Sequence, residues 1–210
     1  MAAALMHRRL ERAVDRFGAR SFLLAGDERA TFADVDGHSN AFARHLAGRG
    51  VTLGDRVAVM TSNRVEFLVA VNGISKLGAA AVLLSPAWKA VEVAHAMGLT
   101  GPRHAVAEAA TAPLLAEHLG AAVTDLDDGA TTAAIAALST DRVPRPDRRE
   151  ADEAILVFSS GTTGLPKAIV HGHGGIALEL LKSISLHLDL GPADCFFWFT
   201  TTGWMMWNYL

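Results

Sequence analysis

From Ile155 to Val170 the chain reads ILVFSSGTTGLPKAIV, and this stretch decides the fold that we predict. Two apolar runs typical of β-strands enclose four hydroxyl side chains, two glycines and one lysine. Hydroxyls and exposed backbone N–H groups bind phosphate oxygens, and glycines let the backbone approach those oxygens closely. Lys167 adds a mobile positive charge that can follow a phosphate through a reaction. The pattern therefore predicts the phosphate-binding loop of a nucleotide-using enzyme.

The Walker loop of the common NTPases, G-x-x-x-x-G-K-S/T, is the obvious alternative, and the sequence does not match it. Gly161 and Gly164 stand too close together, and Ala168 occupies the place of the magnesium-binding hydroxyl. A Walker loop also opens a helix, whereas the residues after Lys167 suit a second strand. Pro166 disfavours helical backbone at the residue before it. We predict a strand–loop–strand unit; an ordinary polar hairpin turn is the plainer alternative, because Gly, Ser, Thr and Pro are common turn residues.

Helix and strand signals alternate along the chain, which predicts an α/β fold with helices packed on a largely parallel sheet. Thr31 to Asp34 resembles a capping box and should open a helix. Further helices are expected from Ser62, from Ser85–Pro86 with Trp88, Val91 and His95 on one side, and over Ala110–Leu119, Thr131–Leu138 and Ile176–Leu186. Strands are expected over Arg56–Met60, Ala79–Leu84, His104–Ala107, Ala121–Val123, Ala154–Phe158 and Cys195–Thr200. Residues 141–153, with two prolines, should form an exposed linker.

Composition narrows the functions to consider. The chain has 210 residues, 50% of them hydrophobic, with a mean hydropathy of +0.25 and a net charge of −3, so we expect no nucleic-acid partner and no recruitment to anionic lipid. Cys195 is the single cysteine, which excludes an internal disulfide and suggests a reducing, cytoplasmic compartment. Its phenylalanine neighbours predict that it is buried. The apolar run from Phe67 to Trp88 is divided into pieces shorter than a transmembrane span, and we predict no such segment.

Three stretches of the chain resemble one enzyme family. Residues 158–167 resemble the signature loop of the adenylate-forming enzymes, which include acyl-CoA synthetases, luciferases and carrier-loading adenylation domains, and the resemblance continues through HGHGG at residues 171–175. Residues 196–208, FFWFTTTGWMMWN, are similar to the acetoacetyl-CoA synthetase branch. Residues 31–86 look more like general fatty-acyl-CoA synthetases.

The resemblance implies a two-step reaction. A carboxylate attacks the α-phosphate of ATP, giving an acyl-adenylate and pyrophosphate, and the thiol of coenzyme A then displaces AMP. ATP, magnesium, coenzyme A and a small carboxylic acid are the implied cofactors and partners, and the oligomeric state stays open. Residues 1–210 would be a partial N-terminal AMP-binding domain without the C-terminal domain, and we expect a fragment of a longer enzyme that is inactive and aggregation-prone by itself.

The resemblance also assigns roles to residues of this chain. Lys167 would be catalytic, holding the pyrophosphate as it departs. The phosphate-binding residues would be Ser159, Ser160, Gly161, Thr162, Thr163, Gly164 and Lys167. His171, Gly203 and Trp204 would bind the acid, and Trp204 with Trp207 would suit a short one; ordinary packing is the alternative for these side chains. No carboxylate cluster identifies a magnesium ligand, and His171 with His173 lacks a third metal ligand.

Three functions therefore stay open from the sequence. The first is an acyl-CoA ligase for a short acid such as acetoacetate or for a fatty acid. The second is a carrier-protein-loading adenylation domain, which shares the first step but not the coenzyme A acceptor. The third is an inactive truncated product. The aromatic stretch at residues 196–208 favours the first of these over the second.

Overall fold

The computed structural model describes residues 5–25, 28–159, 165–191, 193–197, 200 and 202. The helices are α1 (Met6–Phe17), α2 (Phe32–Gly48), α3 (Val65–Lys76), α4 (Ala90–Thr100), α5 (Ala112–Leu119), α6 (Gly129–Ala136) and α7 (His173–Lys182). The strands are β1 (Ser21–Ala25), β2 (Glu28–Thr31), β3 (Arg56–Met60), β4 (Ala80–Leu83), β5 (His104–Ala107), β6 (Val123–Asp125), β7 (Glu153–Ser159) and β8 (Lys167–Gly172). A 3-10 turn (Gly120–Ala122) precedes β6, and a π turn (Ser183–His187) follows α7.

The strands form a six-stranded sheet in the order β6-β5-β3-β4-β7-β8 and a separate two-stranded sheet, β1-β2. All neighbours in the larger sheet run parallel except β8, which is antiparallel to β7. Parallel neighbours require a crossover, and helices make these crossovers here. The predicted α/β fold with a largely parallel sheet is confirmed.

Apolar side chains cover both faces of this sheet, as expected for a parallel sheet between helices. In β3, Val57 and Val59 face a core built with α1, α2 and α3, and Ala58 and Met60 face a second core built with α4 and α5. All four side chains are fully buried. The sheet is therefore a rigid layer whose strand ends can hold a site.

Local signals at the helix starts were partly right. The Thr31 capping box is confirmed: Thr31 Oγ1 accepts a hydrogen bond from the Asp34 N–H, and the Asp34 carboxylate accepts one from the Thr31 N–H. Ser62 does not cap α3, because its hydroxyl donates to Glu108 and the helix begins at Val65. Ser85 does not cap α4 either, since its hydroxyl accepts from the Ala87 N–H within a turn that precedes the helix.

Other predicted features differ in ways that have physical reasons. Val91 is 67% exposed, and Trp88 lies before α4, so the predicted shared helical side for these two residues is wrong. Residues 121–122 belong to the 3-10 turn, and the strand starts at Val123. Cys195 is exposed and residues 195–197 form no strand, so burial and a strand there were wrong predictions; residues 198 and 199 lie outside the described residues. Neither α1 nor the β1-β2 hairpin was predicted from the sequence.

Residues 137–152 connect α6 to β7 without a regular element, and several contacts fasten them to the helices. Arg142 forms an ion pair with Asp15 at 2.6 Å, and the Val143 N–H donates to Asn40 Oδ1 at 3.4 Å. The connection is thus docked on α1 and α2, although most of its residues are exposed. None of the helices within the described ranges is long and apolar enough to cross a membrane.

Candidate active site at the carboxyl edge of the sheet

The predicted strand–loop–strand unit is confirmed in its two strands. β7 and β8 pair antiparallel, and the pair nearest to the loop joins Ser159 to Lys167. Ser159 is half-buried, while the Lys167 side chain is exposed. Residues 160–164 lie outside the described residues, and so do the predicted ligands Ser160, Gly161, Thr162, Thr163 and Gly164. Because Lys167 opens a strand and not a helix, the unit differs from a Walker loop.

The position of this hairpin in the sheet is informative. β7 runs parallel to β4 and β3, so Ser159 ends its strand at the same edge as Leu83 and Met60 end theirs. In open α/β sheets, ligands bind beyond the carboxyl ends of the strands. The hairpin therefore presents Ser159 and Lys167 at the edge where such folds place their sites.

Helix α4 and the turn before it brace both stems of the hairpin. The Trp88 ring contacts the Phe158 ring edge-on, with centroids 5.1 Å apart. His95 Nε2 lies 2.9 Å from the backbone carbonyl oxygen of Pro166. A carbonyl oxygen only accepts, so Nε2 carries the proton and donates it. Phe158 and Pro166 flank the ladder pair Ser159–Lys167, and both are thus contacted from the side of the sheet on which α4 lies.

A second segment reaches the same edge of the sheet. The Thr202 hydroxyl, fully buried, donates to the Thr61 carbonyl oxygen at 2.6 Å. Asn63 Nδ2 donates to the Thr200 carbonyl oxygen at 2.7 Å. Thr61 and Asn63 directly follow β3, so the chain just before Gly203 is held at the carboxyl end of that strand. Gly203 and Trp204, two of the predicted acid-binding residues, lie outside the described residues.

His171 lies elsewhere. It pairs with Ile155 in the ladder, four residues along β8 from Lys167, which puts the two about 13 Å apart along the strand. Its side chain is half-buried, and burial lowers the pKa of its imidazole. The structure therefore does not bring His171 to the edge that holds Lys167.

His173 lies just beyond β8, which ends at Gly172. It begins α7, is fully buried, and its Nδ1 accepts a hydrogen bond from the Met6 N–H at 3.2 Å. Burial, assisted by the positive charge of Arg148, lowers its pKa to about 4. His173 is therefore a neutral imidazole that links α1 to α7, and its role is structural. Within the described part of the chain, no three His, Cys, Asp or Glu side chains are grouped for a metal ion.

Sequence reasoning missed several contacts at this edge. His95, Thr61, Asn63 and Thr202 each reach a partner more than 70 residues away, and none has a local signal for that partner. A cavity of about 620 Å³ was missed too; it lies between α2, α3 and α6, lined by Phe42, Val69 and Ile135 among others. No residue of β7 or β8 lines it, so it is separate from the hairpin.

The parallel sheet, the β7-β8 hairpin and the sequence of its loop together define a class of enzyme. The AMP-binding enzyme family matches residues 10–209, and the chain belongs to this family. Two curated relatives illustrate its range. The medium/long-chain-fatty-acid–CoA ligase FadD6 of Mycobacterium tuberculosis is 33% identical over 192 residues, covering 82% of this chain and 31% of that protein. The acetoacetyl-coenzyme A synthetase of Rhizobium meliloti is 30% identical over 208 residues, covering 87% of this chain and 32% of that protein.

The chain thus spans about a third of the length of these relatives. Among solved structures, ATP-bound MatB from Rhodopseudomonas palustris is similar at 26% identity and a TM-score of 0.78, over 87% of this chain and 37% of that one. The predicted membership of the adenylate-forming enzymes is confirmed.

Proposed function

We propose that the protein containing this chain is an ATP-dependent acid–thiol ligase. It activates a carboxylic acid to an acyl-adenylate with release of pyrophosphate, and it then transfers the acyl group to coenzyme A with release of AMP. The observation that carries the proposal is the β7-β8 hairpin, which places Ser159 opposite Lys167 at the carboxyl edge of a parallel sheet. The two curated relatives, a CoA ligase and a coenzyme A synthetase by name, support the same class.

The proposed roles follow from where charge develops. Attack on the α-phosphate places negative charge on the departing pyrophosphate, and donors already aimed at that charge lower the barrier. We assign this task to the Lys167 ammonium, which is exposed at the start of β8. The hydroxyls and N–H groups of residues 159–164 are proposed to bind the β- and γ-phosphates of ATP. The donor chemistry of this segment fits a triphosphate, since it combines hydroxyls, glycines and one cation.

Magnesium is proposed as the companion of ATP, without a ligand assigned to it. Among the described residues no carboxylate group offers a ready site. When bound, the ion would neutralise charge on the phosphates. We also propose a cytoplasmic location, which the single cysteine of the chain supports.

The identity of the acid is proposed as a short one, acetoacetate first. Trp204 and Trp207 belong to the stretch that resembles acetoacetyl-CoA synthetases, and large indoles would fill the space that a long chain needs. The FadD6 relative, a medium/long-chain-fatty-acid ligase, argues for the longer class. Each buried methylene is worth about 0.8 kcal/mol, so the two classes should separate clearly in a competition.

The test is ATP–pyrophosphate exchange by the intact protein with a panel of acetoacetate, octanoate and palmitate. Acid-dependent exchange supports an adenylate-forming enzyme, and a preference for acetoacetate supports the short pocket. Preference for octanoate or palmitate would overturn the assignment of Trp204 as a pocket wall. Formation of an acyl-CoA after addition of coenzyme A separates the ligase from the alternative, a carrier-protein-loading adenylation domain.

A further inference from the structure

The hairpin that carries Lys167 is held by a contact that the proposed reaction does not by itself explain. Pro166, the residue before Lys167, is buried, and its carbonyl oxygen accepts the hydrogen bond from His95 Nε2 at 2.9 Å. His95 lies in the middle of α4, 71 residues away in sequence, and is half-buried. The contact is therefore long-range and partly shielded from water.

This contact holds the backbone directly before Lys167. Pro166 has no N–H, so the β7-β8 ladder cannot hold that residue by a donated hydrogen bond. The ladder resumes at Lys167, which pairs with Ser159. Ala168, the next residue, packs into the core that α4 helps to build. The His95 hydrogen bond thus fixes the peptide group that joins Pro166 to Lys167.

Resting on the function proposed above, we propose that His95 is a positioning residue for adenylate formation. It does not touch the nucleotide. It holds the Pro166 carbonyl against α4 and so sets the position from which Lys167 reaches the pyrophosphate. A reacting geometry tolerates little displacement, and an error of about 1 Å from a distant change can cost about 10²-fold in rate.

Two substitutions separate this role from simple packing. His95→Leu replaces the imidazole with an apolar side chain of similar size and so removes the N–H donor. His95→Gln places an amide N–H close to the position of Nε2 and should restore the hydrogen bond. His118→Leu, an exposed histidine on α5, is the matched control for loss of an imidazole from a helix surface.

The first measurement is independent of activity. Amide hydrogen exchange of a peptide covering residues 165–172 should be about threefold to tenfold faster in His95→Leu, which is the effect expected from one hydrogen bond. His95→Gln and His118→Leu should match the wild type. A peptide covering β3 should be unchanged in all three variants.

The second measurement splits the reaction into its two halves. His95→Leu should raise the KM for ATP or slow pyrophosphate exchange by about threefold to tenfold, and thioester formation from a supplied acyl-adenylate should stay within about twofold. His95→Gln should recover exchange. Equal slowing of both halves, or no rescue by glutamine, would show that His95 only supports the fold and would overturn the proposal.

The outcomes also distinguish this proposal from the proposed function. If the wild-type protein shows no acid-dependent exchange, the ligase assignment fails, while the amide exchange of residues 165–172 still decides whether His95 holds the stem. Unchanged amide exchange in His95→Leu would overturn the proposal whatever the enzyme does.

Discussion

Lys76 is a charged residue that the fold buries completely, in the last turn of α3. Its ammonium nitrogen lies 3.0 Å from Glu11 Oε1 and 2.8 Å from Asp36 Oδ1, so one cation links α1, α2 and α3. Both carboxylates are themselves nearly buried. Lys76→Met would leave the two nearly buried carboxylates with only the partly exposed Arg8 and Arg142, among the described residues, as counter-charges, which should lower the free energy of unfolding by about 3–5 kcal/mol. Urea denaturation of the intact protein measures this.

Lys182→Met is the matched control for that experiment. Lys182 pairs with Glu179 at 2.7 Å, but both side chains are over two-fifths exposed. Water and salt screen such a pair, so its loss should change the free energy of unfolding by less than about 1 kcal/mol. Comparable effects of the two substitutions would mean that burial does not increase the contribution of the Lys76 ion pairs to the free energy of unfolding.

The sequence marks Lys76 only as a charge that interrupts an apolar run. Its partner Glu11 is 65 residues away, and the pairing depends on how α1 packs on α3. His95 shows the same limit, since its acceptor is a backbone carbonyl in another element. Residue types and local spacing predicted the two strands on either side of residues 160–164, whereas contacts set by tertiary packing leave no local signal in the sequence.

At the scale of elements, two buried histidines fasten α1 to its neighbours. His7 Nδ1 lies 2.9 Å from Ser75 Oγ on α3, and His173 Nδ1 accepts the Met6 N–H. Burial lowers the pKa of His7 to about 3, assisted by the positive charge of Lys76, by His173 once it is protonated in acid, and by Arg8, and opposed by Asp36. Burial, assisted by the positive charge of Arg148 and opposed by Asp152, lowers the pKa of His173 to about 4.

These shifts predict acid sensitivity with a definite sign. In the unfolded chain both histidines have pKa values near 6.5 and take up protons as the pH falls below that value, whereas the folded state resists protonation until about pH 4 to 3. Stability is therefore fully present above about pH 6.5 and is lost as the pH falls toward 4. The thermal midpoint of the intact protein should fall from pH 7 to pH 5. His173→Asn, whose Oδ1 can accept the Met6 N–H, should show a smaller fall; an identical fall would contradict the assignment.

The predicted bounds of the elements were correct for strands whose two faces are both buried. Arg56–Met60 and His104–Ala107 match β3 and β5 to the residue, because continuous apolar runs bounded by polar residues are typical of strands in a parallel sheet. The N-caps predicted for two helices were wrong. Ser62 and Ser85 have the residue type of an N-cap, but Glu108 and the Ala87 N–H bind their hydroxyls instead.

At the scale of the whole molecule, the described residues on the side of the sheet beyond β7 form an exposed apolar surface. Leu178 and Leu181 on α7 and Leu186 in the π turn are 68%, 55% and 78% exposed, and Val170 on β8 is 51% exposed. β8 also ends the strand order of the described sheet. An exposed strand edge beside an apolar patch favours association between chains.

We therefore expect the 210-residue chain, expressed by itself, to self-associate. Light scattering after size exclusion should show species larger than a monomer. Leu178→Glu combined with Leu186→Lys should reduce them, because charges on this patch oppose contact between apolar surfaces. A monodisperse wild-type monomer with cooperative unfolding would contradict the expectation.

Organisation on this scale was predictable in part. The alternation of helix and strand signals predicted the α/β sheet, and the residues around the loop predicted a strand on each side of it. The antiparallel direction of β8 was not predicted, because it is set by the pairing with β7. The roles of residues 160–164, Gly203 and Trp204 remain predictions, which rest on the resemblance of the sequence to the family. For His171, which lies about 13 Å from Lys167 along β8, the role in acid binding also stays a prediction.

Lys167 at the hairpin is proposed to stabilise the departing pyrophosphate, and the two half-reactions of Lys167→Ala in the intact protein test this role. Acid-dependent ATP–pyrophosphate exchange should fall by about 10²–10³-fold, because one charge-stabilising donor is lost. Thioester formation from a supplied acyl-adenylate should be nearly unchanged, since the pyrophosphate has left before that step. Equal slowing of both half-reactions, or exchange that does not depend on Lys167, would contradict the account.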